Sequence, residues 1–212
     1  MGGARITIVR HGETEWNKSF QLQGHQDSPL TENGIKQAEL LSDTINSRNF
    51  DCIVCSDLSR AKTTAEILNK NLKLDITYNS GLRERAFGVM EGLKREVIKE
   101  KYPDVYEAYM QRNAEFQIPE GESLVQFNSR VIKTFEDLGK EYNNKHILVV
   151  AHGGVLDCVI RHIFRLKLYD DRCFSVYNTS VNTIKIKNSM WILEEWGNID
   201  HIIGAKVLNE FN

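Results

Sequence analysis

The sequence lacks the features of disulfide-rich proteins, of strongly basic nucleic-acid-binding proteins and of membrane-spanning proteins. It holds only four cysteines in 212 residues, its net charge is −2, and no apolar run approaches the ~20 residues that span a bilayer. Four cysteines do not make a disulfide framework in a chain of this size. A net charge near zero gives no general attraction to nucleic acid or to an anionic membrane. We therefore expect a globular protein with neither partner, and any anion site must come from a few converging basic groups.

Two of the cysteines, Cys52 and Cys55, form a C-x-x-C within F-D-C-I-V-C. This stretch reads as a strand, where side chains three apart point to opposite faces, and no second cysteine pair follows. The pattern therefore predicts neither a metal site nor a redox pair. The opening M-G-G-A-R leads into a strand without the hydrophobic region of a signal peptide. We expect a reduced, cytoplasmic protein.

Short apolar runs define the predicted strands. Continuous β-branched runs occupy 4–10, 51–55 and 146–151, and alternating patterns occupy 72–78, 181–187 and 190–196. The continuous runs are typical of parallel strands covered by helices on both faces, and the alternating runs are typical of positions nearer an edge. Asn188-Ser189 predicts a tight antiparallel turn between the last two strands.

Amphipathic stretches fill the gaps between these strands. Helices are predicted at 31–46, 57–71, 123–142 and from Gly153 to about Leu166. In the first of them we expect Ile35, Ala38, Leu41 and Ile45 to be buried. The polar segment 92–118, interrupted at Pro103, reads as a helical insertion over the sheet. Alternating strands and helices predict an α/β fold with a mainly parallel sheet, and the lack of any linker predicts one domain over 1–212.

Polar residues follow the carboxyl ends of the predicted strands, where α/β sheets bind their ligands. The first strand ends in Arg10-His11-Gly12 and the fourth in His152-Gly153-Gly154. Ser56-Asp57 follows the second strand, with Arg60 just beyond, and the loop 81–88 after the third strand holds Glu84. Any one of these residues alone is more often a solvated or satisfied polar group than a functional one. Their joint occurrence at four strand ends predicts one shared site.

Two arginines, two histidines and a glutamate suit phosphoryl transfer. A guanidinium group matches phosphate oxygens bidentately, and a neutral imidazole can attack phosphorus near pH 7. A second histidine can donate to the phosphoryl oxygens, and a protonated glutamate can protonate the leaving oxygen. Glycines after each histidine let the backbone approach a phosphate.

Motifs of other phosphate-handling proteins are missing from the sequence. It contains no G-x-x-x-x-G-K-[ST] loop and no H-E-x-x-H, and we find no carboxylate cluster with two-metal spacing. Four residues separate Cys55 from Arg60, whereas the cradle of a cysteine phosphatase uses five. The sequence therefore favours a histidine mechanism that needs no metal or other cofactor.

Five ordered blocks resemble the histidine phosphatase superfamily, also called the phosphoglycerate-mutase-like family. The first two blocks are V-R-H-G-E-T-E-W-N at 9–17 and L-Q-G-H-Q-D-S-P-L-T-E-N-G at 22–34. The others are S-D-L-S-R-A-K-T-T-A at 56–65, L-R-E-R-A-F-G at 82–88 and V-A-H-G-G-V at 150–155. Together they span nearly the whole chain. A single R-H-G would be weak evidence, but five blocks in family order are strong.

The resemblance implies a three-layer α/β/α fold and a phosphohistidine intermediate on His11. It implies that Arg10, Arg60 and His152 hold the phosphoryl group together with Asn17, and that Glu84 is the proton donor. The remaining binding positions by this resemblance are Gln23 and Gly24, where the family contacts substrate. We add Gly153 to the predicted phosphate-binding residues because it follows His152 directly.

The family divides into phosphatases, which pass the phosphoryl group to water, and mutases, which return it to a substrate. Mutases follow their acid with H-Y-G and have a longer basic insertion with paired arginines. Here Phe87-Gly88-Val89-Met90-Glu91-Gly92 resembles the F-G-x-x-E-G of phosphatases, and 92–118 has no adjacent arginine pair. Gln21 stands where many phosphatases of this branch carry arginine, which weakens any specific assignment to a doubly anionic substrate.

We therefore expect a phosphomonoesterase for a small phosphorylated metabolite. A phosphoglycerate-type mutase is the alternative, and an inactive family member that only binds phosphorylated ligands is a third reading. The amphipathic C-terminal strands are compatible with a homodimer but do not require one.

Overall fold

A computed structural model describes residues 2–202, which fold around a six-stranded sheet. The strands are β1 (Ala4–Arg10), β2 (Cys52–Cys55), β3 (Ile76–Tyr78), β4 (His146–Ala151), β5 (Val181–Lys187) and β6 (Met190–Asn198). Their order across the sheet is β3-β2-β4-β1-β5-β6. The pairs β3–β2, β2–β4 and β4–β1 are parallel, whereas β5 runs antiparallel to both β1 and β6. This confirms the predicted mainly parallel sheet.

Helices cover both faces of the sheet. They are α1 (Glu15–Ser19), α2 (Glu32–Ile45), α3 (Ser59–Leu72), α4 (Arg95–Lys101), α5 (Pro103–Met110), α6 (Leu124–Glu141) and α7 (Gly153–Phe164). Leu41 of α2 and Leu68 of α3 belong to the core on one face, and Phe135 of α6 and Val159 of α7 belong to the core on the other. The three-layer α/β/α arrangement is therefore confirmed.

The central strands are buried on both sides, as their continuous apolar runs predict. Along β1, Ile6 and Ile8 pack into one core and Val9 into the other, and all three are fully buried. Cys52 and Cys55 of β2 likewise pack against different cores. Cys52 and Cys55 thus lie on opposite faces of β2, as the strand pattern predicts. Burial raises the pKa of the Cys55 thiol, so this thiol stays protonated.

Two local predictions are wrong. The third strand was expected to begin at residue 72, but α3 continues through Leu72 and the strand begins only at Ile76. Ile35 was expected in the core, yet it is 38% exposed because it lies in the first turn of α2, at the rim of the packed face. The short helix α1 was not predicted; Thr14 and Asn17 form its capping box.

The insertion predicted at 92–118 forms α4 and α5, with Pro103 at the first position of α5. Met90, Ile98 and Ile118 give this part of the chain its own small core. At the other end of the sheet, β5 and β6 join through Asn188 and Ser189, whose φ angles of 48° and 63° confirm the tight turn. No helix within the described residues is long and apolar enough to cross a membrane.

Candidate active site

The carboxyl ends of β1, β2 and β4 meet at one edge of the sheet. Arg10 pairs with Ala151 across β1 and β4, so His11 and His152 leave neighbouring strands at the same level. Next to this edge lies a cavity of about 450 Å³. Arg10, His11, Arg60 and Glu84 all line it, as the strand-end rule predicts.

His11 is buried, and its orientation is fixed by its neighbour. Its Nδ1 lies 2.8 Å from the carbonyl oxygen of Gly12. A carbonyl oxygen only accepts hydrogen bonds, so Nδ1 carries the proton and the lone pair of the neutral ring is on Nε2. Burial, then the charge of Arg60, then that of Arg10, hold the His11 pKa well below its usual value. The ring is therefore neutral at pH 7, with the lone pair of Nε2 available.

Close backbone packing holds the R-H-G turn in place. A side chain on Gly12 would put its Cβ 2.5 Å from the carbonyl oxygen of Gly34, near the start of α2. The Gly12 N–H donates to Oγ1 of Thr64, which is buried on α3. Only glycine at position 12 allows β1 to pass this close to α2, and this contact positions His11.

Arg10 and Arg60 bring two buried positive charges to the cavity, since each side chain is only 1% exposed. Arg10 Nη1 donates to the carbonyl oxygen of Val176 at 2.6 Å. Arg60 donates to Asp27 Oδ1 at 2.8 Å and to the carbonyl oxygen of Gly24 at 2.8 Å. Guanidinium groups of this kind match the oxygens of a phosphoryl group.

His152 is fully buried beside His11, and the two ring centroids are 5.2 Å apart. Its Nε2 lies 2.7 Å from the Ser56 hydroxyl, and its Nδ1 has no hydrogen-bond partner among the described residues. Burial, Arg60, His11 and Arg10 in that order keep the His152 pKa well below its usual value. His152 is therefore a neutral ring held by the end of β2.

Glu84 reaches the cavity from the loop after β3. Its Oε2 accepts a hydrogen bond from the Gly154 N–H at 2.9 Å, and its Oε1 accepts one from the Arg85 N–H at 2.8 Å. A Cβ at position 154 would lie 2.0 Å from Glu84 Oε1, so any larger residue there would displace the Glu84 carboxyl group. The neighbouring Gly153 lies over Arg10, where a Cβ would be 3.4 Å from Nε. Each carboxyl oxygen of Glu84 keeps a lone pair that can take a proton.

The other predicted binding residues also line the cavity. They are Asn17, Gln23 and Gly24. Asn17 uses its Oδ1 to cap α1, accepting from the Thr14 N–H at 3.0 Å. Gly24 has a φ of +55°, and a Cβ there would lie 2.0 Å from Glu91 Oε1. His152 and Gly153 do not line the cavity but lie directly behind it, against His11 and Arg10. The structure thus brings together every residue that the sequence singled out for this site.

Several supporting residues were not predicted. Asn178 is fully buried and donates from Nδ2 to the carbonyl oxygen of His11 at 2.9 Å. Glu91 accepts from the backbone N–H groups of His25, Gln26 and Phe87 and so ties two loops together. Asn178 lies in the polar run N-T-S before β5, a signal that could have found it. Glu91 belongs to the F-G-x-x-E-G motif identified in the sequence, which predicted no function for it.

No group of three or more histidine, cysteine, aspartate or glutamate side chains within residues 2–202 is placed to hold a metal ion. The site instead combines a neutral imidazole with a free lone pair, two buried guanidinium groups and a carboxyl group. Such a set can bind a phosphoryl group, attack it and exchange a proton with a leaving oxygen.

These features define an α/β protein with two histidines and two arginines clustered at the carboxyl edge of its sheet. The family model of the histidine phosphatase superfamily (branch 1) matches residues 6–199. The chain belongs to this superfamily.

Proteins similar to this chain include some named as mutases and some named as phosphatases. The probable phosphoglycerate mutase GpmB of Salmonella arizonae is 31% identical over 97% of this chain and 98% of its own length. The solved structure of Bacillus stearothermophilus YhfR has a TM-score of 0.87 at 27% identity, covering 93% of this chain and 98% of that one. The α-ribazole phosphatase of Shigella flexneri has a TM-score of 0.83 at 29% identity, covering 92% and 96%.

Proposed function

We propose that this protein is a metal-independent phosphomonoesterase that forms a phosphohistidine on Nε2 of His11. The observation that supports this most directly is the His11 Nδ1 to Gly12 carbonyl hydrogen bond, which leaves Nε2 as the nucleophilic nitrogen. Arg10 and Arg60 bind the phosphoryl oxygens, and His152 donates to them as charge builds. The cavity of about 450 Å³ is of a size that suits a small metabolite.

In the first step Nε2 of His11 attacks phosphorus and the ester P–O bond breaks. The leaving oxygen takes its proton from Glu84, which becomes a carboxylate. In the second step Glu84 takes a proton from water, the hydroxide oxygen bonds to phosphorus, and the P–N bond breaks to release inorganic phosphate. Glu84 is then protonated again and His11 is neutral, so the cycle closes without a cofactor.

Phosphoglycerate-type mutase activity is the alternative, because the similar protein from Salmonella arizonae is named as a probable mutase. The F-G-x-x-E-G sequence and the similarity to a solved phosphatase favour hydrolysis. Both reactions use the same first step and differ only in whether water or a second substrate accepts the phosphoryl group.

The test is to incubate the protein briefly with a ³²P-labelled phosphodonor and follow both the protein and the product. We expect acid-labile, alkali-stable label on His11 and release of inorganic phosphate. His11→Ala should abolish both, whereas His162→Ala, outside the cavity, should abolish neither. Conversion of 3-phosphoglycerate to 2-phosphoglycerate in the presence of bisphosphoglycerate, without phosphate release, would instead identify a mutase. Normal turnover by His11→Ala would overturn the mechanism.

A further inference from the structure

Arg130 on α6 lies outside the cavity, yet it binds the loop that carries Glu84. Its Nη1 donates to the carbonyl oxygens of Gly81 at 3.0 Å and of Arg83 at 3.1 Å, and its Nη2 donates to that of Glu84 at 3.2 Å. Nε and Nη2 also donate to the two carboxylate oxygens of Glu122, each at 2.8 Å. A guanidinium group has five N–H donors, so every one of them is used here.

These hydrogen bonds fix both peptide planes that flank Glu84. A trans peptide group is planar, so the direction of its C=O also sets the direction of the N–H that follows. The Arg83 carbonyl belongs to the plane before the Glu84 Cα, and the Glu84 carbonyl belongs to the plane after it. Because Arg130 holds both planes, it also fixes the direction in which the Glu84 side chain leaves the backbone.

The peptide plane after Glu84 holds the carboxyl group directly. Its N–H is that of Arg85, which donates to Glu84 Oε1 at 2.8 Å. His25 Nε2 lies 3.0 Å from the Glu84 carbonyl oxygen and donates to it, since a carbonyl oxygen only accepts. A rotation of this plane would therefore break the bonds from Arg130, His25 and Arg85 together. The carboxyl group would lose one of its two backbone donors.

Glu122 connects Arg130 to the next part of the same loop. Its Oε2 accepts from the Ala86 N–H at 2.9 Å, and its own N–H donates to the Ala86 carbonyl oxygen at 2.9 Å. The side chains of Arg130 and Glu122 are only 24% and 21% exposed. Because the two charges cancel, the pair adds no net charge beside the loop, and its effect on Glu84 is one of geometry.

We propose that Arg130, paired with Glu122, is a positioning residue for the proton donor. It directs the Glu84 carboxyl group toward the leaving oxygen without touching the substrate. This inference rests on the proposed function, because it takes Glu84 to be the acid of the first step. Proton transfer to a leaving group requires the acid within hydrogen-bond reach of that oxygen, so a loop that no longer fixes Glu84 lowers the rate of this step.

Arg130→Gln tests the proposal through the dependence on the leaving group. Turnover of an alkyl phosphate should fall by roughly tenfold to a hundredfold, and turnover of p-nitrophenyl phosphate by less than about threefold, because nitrophenolate needs no proton. KM should change little, since Arg130 does not contact the substrate. Arg130→Lys keeps the charge but has three donors, so it should retain part of the alkyl phosphate rate. Equal losses of kcat on both esters would contradict the positioning role.

His25→Ala provides a second variant that does not depend on the folding of Arg130→Gln. It removes the other donor to the Glu84 carbonyl oxygen and leaves Arg130 in place. We expect a smaller loss of turnover with the same difference between the two esters. If the alkyl and nitrophenyl rates of His25→Ala fall equally, this peptide plane does not position the acid and the proposal fails.

Arg48 offers a matched control for Arg130. It pairs with Glu195 just before the amino end of β2, and the two side chains are 28% and 25% exposed. Arg48→Gln should therefore cost similar stability but keep the ratio of the two rates. In a Glu84→Gln background, Arg130→Gln should lower alkyl phosphate turnover by less than about twofold more, because the acid is already absent. A full further loss would place the action of Arg130 elsewhere and overturn the proposal.

Amide hydrogen exchange measured by NMR separates this inference from the proposed function, because it needs no turnover. The Gly154 N–H lies in the first turn of α7, where no helical carbonyl is available, and it donates to Glu84 Oε2. In Arg130→Gln its exchange should be at least about tenfold faster. The Gly12 N–H, which donates to Thr64, should exchange at the wild-type rate.

The two results together distinguish the two failures. A wild-type protein that hydrolyses no phosphomonoester, but whose Gly154 exchange rises with Arg130→Gln, would contradict the phosphatase and retain the positioning role. A wild-type protein that hydrolyses both esters, with exchange and rate ratio unchanged by Arg130→Gln, would retain the phosphatase and contradict the positioning role.

Discussion

The rings of His11 and His152 lie with their centroids 5.2 Å apart, and both are buried beside Arg10 and Arg60. A proton on either ring would therefore face two guanidinium groups in a place that water does not reach. Both rings are neutral at pH 7 for this reason. The proposed mechanism needs a neutral His11 for attack on phosphorus, and the two arginines that it assigns to the phosphoryl group are the same ones that keep this ring deprotonated.

The first prediction concerns pH. Because the His11 pKa is well below the usual 6.5, kcat/KM should not fall as the pH is lowered through 6.5, once ionisation of the substrate phosphate is allowed for. Arg60 is the larger of the two charge effects, so Arg60→Gln should move the acid limb of the profile to higher pH, even though the rate falls. The measurement is kcat/KM between pH 4 and 9. A wild-type acid limb near 6.5 would contradict this account of the site.

The second prediction concerns the support of His152. The Ser56 hydroxyl lies 2.7 Å from His152 Nε2, and both residues are fully buried. Ser56→Ala should lower kcat roughly tenfold, because the ring loses the hydrogen bond that orients it. Ser47→Ala, at an exposed position, is the matched control. If Ser56→Ala lowers the melting temperature and leaves kcat unchanged, Ser56 has only a structural role.

The third prediction concerns the proton donor. Glu84→Gln keeps the shape of the side chain but cannot release a proton to the leaving oxygen. Turnover of an alkyl phosphate should fall by roughly a hundredfold or more, and turnover of p-nitrophenyl phosphate should fall much less, because nitrophenolate leaves without a proton. The ratio of the two rates is the measurement. Equal losses on both esters would argue that Glu84 does not act as the acid.

The fourth prediction concerns Glu91, which accepts from the backbone N–H groups of His25, Gln26 and Phe87. The Gln26 carbonyl oxygen in turn accepts from Arg60 at 3.0 Å. Glu91→Gln replaces one carboxylate oxygen by an NH2 group, which places a donor against at least one of these N–H groups and should cost roughly 1–3 kcal/mol of unfolding free energy. It should also lower kcat/KM, because the loop that positions Arg60 shifts.

Glu100→Gln, on the exposed side of α4, is the control for the loss of a carboxylate. Denaturant unfolding and steady-state kinetics on the same preparations separate the two effects of Glu91→Gln. Should stability fall while kcat/KM stays at the wild-type value, Glu91 does not position Arg60.

The fifth prediction concerns metal ions. Residues 2–202 contain no cluster of side chains placed to hold one. Hydrolysis should therefore be unchanged after dialysis against EDTA, and added Mg²⁺ or Zn²⁺ should not stimulate it. A large loss of activity that a divalent cation restores would point to a metallophosphatase and contradict the histidine mechanism.

Much of the fold could be read from local patterns. The apolar runs at 4–10 and 146–151 predicted β1 and β4, and the amphipathic stripe from Leu124 to Leu138 predicted α6, because burial on one or two faces leaves a period in the sequence. The shortened β3 was missed, because its alternating pattern has little apolar content and α3 extends into it. Helix α1 was missed because five residues are too few to show a period.

The sequence by itself determined which residues would meet at the edge of the sheet, since parallel strands bring their carboxyl ends together wherever they occur in the chain. It determined His11, Arg10, Arg60, Glu84 and His152 as candidates in this way. Only the tertiary structure decided which nitrogen of His11 is free. The answer depends on the direction of one carbonyl group, that of Gly12, and the pattern of side chains in the sequence does not predict that direction.

The tertiary structure also decided which distant arginines contact Asp157. Arg112 and Arg172 are 60 positions apart, and no sequence pattern predicts that they come close to each other. Both contact Asp157 because the segments that follow α5 and α7 pack next to each other. Contacts between side chains so far apart arise from packing and leave no local period. The sequence therefore predicted the residues at the strand ends, but not the contacts of Arg112 and Arg172 with Asp157.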